Sequence, residues 1–248
     1  MLLFFLFPFG LLAQNMIAEI PLKEKPMYAY VDRPGELYIR FESRIIRYDI
    51  NGKETGSYSP VHPALHFEPR DGSRMFTYDS QTKRYGFAAF GKYPSTPLPE
   101  EYAVEPIAAC SAGDNGLWIF DHADFSFKRV NLHKGRVDVE FKLPASLHQE
   151  NIVAMREYQG FLFVATPTKL HLFSSMGKLL KSLEATAADF DFLGEEVYFR
   201  NNDQLIFFDL FDGTTRRESL NQGLSFIRLT DERRFLIYAD RLFILQAQ

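Results

Sequence analysis

Residues able to do chemistry are scattered along this chain. Six histidines, His62, His66, His122, His133, His148 and His171, are the first candidates for proton transfer or metal ligation. His62 and His66 stand four apart, a spacing that would align two ligands on a helix, but Pro63 between them argues against a helix. Asp121-His122-Ala123-Asp124 offers oxygen and nitrogen ligands yet matches no calcium loop, and turn-forming aspartates account for it. Asp189-Phe190-Asp191 alternates as strand residues do, which puts both carboxylates on one side, where they could line a central channel. The one cysteine, Cys110, excludes an intramolecular disulfide and a Cys-based zinc site. It lies in the small-residue run Ile107-Ala-Ala-Cys-Ser111, which reads as an innermost strand holding a buried, inert thiol. There is no Gly-x-Ser-x-Gly, no phosphate-binding glycine loop and no Cys-x-x-Cys. The pairs Arg216-Arg217 and Arg233-Arg234 read as solvated. No catalytic residue, metal ligand or cofactor is expected.

What positions these residues is a repeat. It is plainest from Gly194 to Leu220, where three short β-rich runs are separated by Asn, Asp and Gly. The large residues at the centre of each second strand are Tyr38, Phe76, Trp118, Phe163, Tyr198 and Leu236, spaced 38, 42, 45, 35 and 38 apart. An all-β repeat of about 40 residues is the signature of a four-stranded propeller blade. Glycine precedes this strand at Gly35, Gly116, Gly160 and Gly194, and third strands end in turns at Gly52, Gly177 and Gly213. The sixth unit stops at Gln248 after its third strand, and Met16-Ile-Ala-Glu-Ile-Pro-Leu22 belongs to no unit. That N-terminal strand is therefore expected to complete the last blade and close the ring.

The expected blades are Met27 to Ser59, Ala64 to Val104, Glu105 to Leu143, Ile152 to Leu183, Phe190 to Leu220, and Leu224 to Gln248 with the N-terminal strand. Blade two has no clear fourth strand, because Pro94, Pro97 and Pro99 fall where it should run. One helical turn is expected near Ala145–Asn151. Runs such as Leu205-Ile-Phe-Phe208 are short and continuously apolar, unlike the alternating strands of about 9–11 residues of an outer-membrane barrel. A β-sandwich would not explain six units with an unpaired strand at each end.

These features resemble the broad family of bacterial six-bladed β-propellers over about Met16 to Gln248. The chain lacks the Ser-x-Asp-x-Gly-x-Thr-Trp repeat of sialidases and the Gly-His and Trp-Asp pairs of the WD class. Propellers host scaffolds and enzymes alike, so the resemblance implies a fold and leaves function to the site.

The 248 residues are 46% hydrophobic with 25 Phe and 12 Tyr, enough for a large core. A net charge of −4 gives no reason to propose nucleic acid or anionic membrane as a partner. Met1 to Ala13 is an apolar run too short to span a bilayer, and it ends in a small residue before Gln14-Asn15, as a secretory signal does. Residues 1–13 thus read as a signal peptide and 14–248 as one propeller domain, periplasmic or secreted, of a Gram-negative bacterium.

Loops between second and third strands share a face with the blade-to-blade joins. Tyr93, Tyr102, His122, Asp124, His148, Arg200 and Asn201 lie in these loops and are the candidate binding residues. The leading expectation is a non-enzymatic propeller that binds a protein partner, as a scaffold or channel plug of an outer-membrane or secretion complex. A glycan- or peptide-binding propeller is the alternative, and a lyase or hydrolase comes third. Protein purified from its native host is expected to begin at Gln14, and intact-mass measurement checks this; a retained Met1 in a cytosolic protein overturns the secreted reading.

Overall fold

The computed structural model describes residues 16–62, 64–70, 74–88, 95–113, 115–185 and 189–247. The proposed signal at Met1–Ala13 lies outside the described residues. Six antiparallel four-stranded sheets form a ring. Strand β1 (Met16–Pro21) opens the chain. Blade one holds β2 (Tyr28–Val31), β3 (Leu37–Arg40), β4 (Ile45–Tyr48) and β5 (Glu54–Tyr58), and blade two β6 (Leu65–Pro69), β7 (Met75–Asp79), β8 (Arg84–Ala88) and β9 (Thr96–Pro97). Blade three is β10 (Pro106–Ala112), β11 (Gly116–Asp121), β12 (Ser126–Asn131) and β13 (Arg136–Lys142), and blade four β14 (Ala154–Tyr158), β15 (Phe161–Ala165), β16 (Lys169–Phe173) and β17 (Leu179–Glu184). Blade five is β18 (Phe190–Leu193), β19 (Glu196–Asn201), β20 (Gln204–Asp209) and β21 (Thr215–Ser219). Blade six is β22 (Phe226–Leu229), β23 (Arg233–Ile237) and β24 (Arg241–Gln246), completed by β1.

Burial follows position in the blade. Inner strands such as β11 and β15 are buried on both faces, because a neighbouring blade covers each face. This explains their unbroken apolar sequence. The outer strand β13 alternates exposed and half-buried residues. Six apolar clusters fill the ring, one between each pair of neighbouring blades. The cluster between blades six and one contains Phe235, Ile237, Leu242 and Ile244 from one side and Ala29, Val31, Leu37 and Ile39 from the other. Strand β1 pairs Ala18 with Ile244 and Ile20 with Leu242, so the chain's two ends close the ring in one sheet.

Two irregularities were visible in the sequence. Among the described residues the fourth strand of blade two is the two-residue β9, pairing Pro97 with Arg84 and Thr96 with Tyr85. A single 3-10 turn, Ala145–Leu147, is the helical element found where one turn was expected.

Turns at the end of third strands carry blade-to-blade contact. Gly177 has φ +84°, and a Cβ there would overlap the Phe141 ring of blade three. Gly213 has a similar φ of +73° but nothing within 4 Å. Gly213→Ala is therefore expected to cost about 1–2 kcal/mol from the left-handed backbone alone. Gly177→Ala adds overpacking of about 1–3 kcal/mol against the Phe141 ring, which packs on Trp118, Phe127 and Phe173. Urea midpoints of the two variants check the difference, and equal losses would contradict this packing.

Candidate functional site

The innermost strands β2, β6, β10, β14, β18 and β22 converge on the ring axis. All six enter from the blade-to-blade joins, so one mouth of the channel, the entry face, gathers their N-terminal ends and the loops between second and third strands. The other mouth, the exit face, gathers their C-terminal ends and first hairpins.

Between the mouths the axis is filled by charge. Arg156 Nη1 donates to Asp191 Oδ1 at 2.5 Å, and its Nε lies 3.6 Å from Glu68 Oε1. Arg228 Nη1 donates to Asp189 Oδ1 at 2.6 Å, and its Nε sits 3.4 Å from Asp191 Oδ2. The same guanidinium donates to the Ala29 carbonyl, tying blade six to blade one. Glu68 Oε2 accepts from the Ser111 hydroxyl and backbone N–H. Glu68, Arg156, Asp191 and Arg228 are all buried. Burial alone would favour neutral arginines, but Asp191 and Glu68 hold Arg156 charged, and Asp189 and Asp191 do so for Arg228.

The entry mouth is shallow, and apolar side chains share it with Arg40 and His66. A cavity of about 240 Å³ is lined by Met27, Tyr28, Tyr30, Arg40, His66 and Val153, among others. An adjoining one of about 170 Å³ shares His66 and Val153 and adds Tyr78 and Ile107. The exit mouth is larger, about 600 Å³, and polar. Its lining includes Asp32, Arg33, Glu68, Arg70, Arg156, Tyr158 and Asp191. Burial lifts the Asp32 carboxyl to about 6 despite hydrogen bonds from the Glu36 N–H and the Tyr38 hydroxyl.

Of the residues singled out from the sequence, Tyr93 lies outside the described residues. Tyr102 is buried, 8% exposed, in the cluster between blades two and three, where it offers no surface anchor. Leu98 and Ala103 pack in the same cluster beside it. His122, Asp124 and His148 come together around Phe125. The His148 ring stacks on Phe125 at 4.3 Å, and His122 lies 5.0 Å from the same ring. Burial would raise the Asp124 carboxyl, but hydrogen bonds from Lys142 and Ser126 outweigh it and bring it down to about 2. Arg200 donates Nη2 to the Leu224 carbonyl at 2.6 Å, and Arg40 holds the His62 carbonyl in the same way at 2.9 Å. Both arginines thus fasten one blade to the entry of the next. Asn201 accepts from the Asn202 side chain at 3.3 Å.

The axial residues other than Cys110, Asp189 and Asp191 escaped the sequence reading, although a signal existed. The second-strand residues that fixed the repeat pair across to Tyr30, Glu68, Cys110, Arg156 and Asp191 in blades one to five. Reading the partner of each anchor would have named a ring of axial side chains. Cys110 within it is fully buried, and burial pushes its thiol well above the ordinary value.

His66 gives this region a pH signature. Burial brings it down to about 4, with Glu68 opposing and Arg156 and Arg40 assisting. The native imidazole is therefore neutral where an unfolded one takes up a proton. Its contribution to stability is full above pH 6.5, the ordinary value, and is lost progressively toward pH 4. A His66→Gln variant is expected to lose less stability than the parent between these limits, measured as urea midpoints across pH; parallel profiles would contradict a neutral native His66.

No family model matches the sequence, and no curated protein matches it either. Solved structures do. A virginiamycin B lyase from Staphylococcus aureus superposes with a TM-score of 0.60 at 14% identity, over 93% of this chain and 99% of that one. BamB from Moraxella catarrhalis gives 0.51 at 12%, over 94% and 98%. BBS1N in complex with ARL6 gives 0.54 at 11%, over 93% and 81%. Likeness at such low identity speaks to architecture, and with the strand order it fixes the fold: the chain is a six-bladed β-propeller whose last blade is closed by its N-terminal strand.

Proposed function

We propose that this propeller is a non-enzymatic docking module that binds a protein partner on its entry face. The observation carrying this reading is an apolar rim around the entry mouth. Met27 is 51% exposed, Val104 66%, Val153 44% and Ile107 37%. Met27 and Val153 line one cavity, and Val153 and Ile107 line its neighbour, so these side chains adjoin across blades one, three and four. Single exposed apolar residues need no explanation, but adjoining ones around a concavity are the usual core of a protein interface. The stack of His122, Phe125 and His148 lies farther out on the same face and supplies a polar rim.

The partner fits best as a component of an outer-membrane or secretion complex, with the propeller as scaffold or channel plug. The apolar start of the sequence supports a periplasmic or secreted location. So does likeness to BamB and to an extracellular domain from B. thetaiotaomicron, the latter with a TM-score of 0.55 at 13% identity over 90% of this chain and 34% of that one. Among the described residues no helix is long and apolar enough to cross a membrane. BBS1N in complex with ARL6 supplies a protein-bound member of the same architecture.

A Met27→Asp, Val153→Asp double variant is expected to fold, by circular dichroism, and to lose the partner on co-purification from native membranes. Phe211→Asp, at the exposed turn between β20 and β21, is the control and is expected to retain it. Retention by the double variant with loss in the control overturns the entry-face assignment.

A further inference from the structure

The exit mouth is larger than the entry mouth and lined by more charged groups. Its volume of about 600 Å³ falls in the range of small-ligand pockets, roughly 300–1,000 Å³. Five of the six blades contribute to its wall. Two of its lining groups, Arg156 and Asp191, are 7% and 2% exposed. Each keeps a buried atom without a hydrogen bond: Arg156 Nε stands 3.6 Å from Glu68 Oε1, and Asp191 Oδ2 stands 3.4 Å from Arg228 Nε. Each faces an opposite charge outside hydrogen-bond geometry, so a small group that both accepts and donates suits this floor.

The charges around these atoms are already compensated. Arg156 sits between Asp191 and Glu68, and Arg228 between Asp189 and Asp191. A ligand with a net charge would unbalance that set in a buried setting. A hydroxyl group would not, since it accepts from an N–H and donates to a carboxylate at once. Higher in the wall stands Tyr158, half-buried, with its ring stacked parallel on Phe192 at 4.2 Å and its hydroxyl donating to the Gly194 carbonyl. Fixed in this way, it offers a rigid, largely apolar surface beside polar groups on Arg33, Gln159 and Thr230.

We propose that the exit mouth binds a neutral polyhydroxylated ligand, a saccharide, with hydroxyls on Arg156 and Asp191 and a sugar face against Tyr158. This site is separate from the entry-face docking surface and does not depend on it.

The molecule carries its own reporter. Trp118, its one tryptophan, donates Nε1 to Glu157 Oε2 at 2.7 Å, and Glu157 lines this mouth. The full chain is screened on a glycan array, and hits are titrated against tryptophan emission, with tri-alanine as a zwitterionic peptide probe. Saturable binding of at least one saccharide is expected, weakened about tenfold or more by Tyr158→Ala, the scale of one well-placed contact. Asp191→Asn tests the floor, and Arg33→Ala at the rim keeps the test alive if that variant fails to fold. The Met27→Asp, Val153→Asp variant is expected to bind sugar as the parent does. Absence of any saccharide hit, saccharide affinity unchanged in both Tyr158→Ala and Arg33→Ala, or a response to tri-alanine alone overturns the proposal.

Discussion

A blade of this protein has two apolar faces, and each must be covered by another blade. That single constraint organises the rest. Any open row of such blades would leave one apolar face bare at each end, whereas a ring leaves none. It explains why inner strands carry unbroken apolar runs and why the six clusters fall between blades and not within them. It also explains why the N-terminal strand is spent on the last blade. With β1 on β24, blade six is completed by hydrogen bonds between the N-terminal and the last strand, and it meets blade one through an apolar cluster.

Closure brings six strands together at the axis, where side chains from different blades must share a narrow space. Here the protein places arginines and carboxylates. Buried ion pairs add little net stability over apolar packing, because desolvation offsets attraction. Their value lies in specificity. Arg228 reaches Asp189 and Asp191 in blade five and the Ala29 carbonyl in blade one, so it is satisfied only when three consecutive blades stand in register. The axial charges act as a registration device for a ring that apolar contact alone would hold less strictly.

Much of the fold was legible because its signals are local. A period near 40, a glycine before the second strand and a turn after the third are all written within single units, as is the proline-broken outer strand of blade two. The candidate site was less legible because its contacts join distant residues. Arg156 meets Asp191 across 35 positions and Arg228 meets Ala29 across 199. Alternation placed Asp189 and Asp191 on one side, but nothing local named their arginine partners. Tyr102 shows the opposite difficulty. In sequence it stands in a long proline-rich join, yet Leu98, Tyr102 and Ala103 pack into the cluster between blades two and three. Contacts with residues distant in sequence, such as Phe76 and Leu117, decide where that ring goes.

The two mouths differ in size and charge and share one layer of side chains. Tyr30 lines the entry cavity, and the Arg156 guanidinium, which lines the exit cavity, lies 5.2 Å from its ring. One cation–π layer therefore separates an apolar rim from a polar pocket. Arg156 is also held by Asp191 and faces Glu68, so moving it would break a buried ion pair, a change that typically costs about 3–5 kcal/mol. Binding on one face gains nothing that large by displacing it. The layer behaves as a wall, and a wheel with a wall at its hub can carry two independent surfaces: one broad enough for a protein, and one deep enough for a small polar ligand.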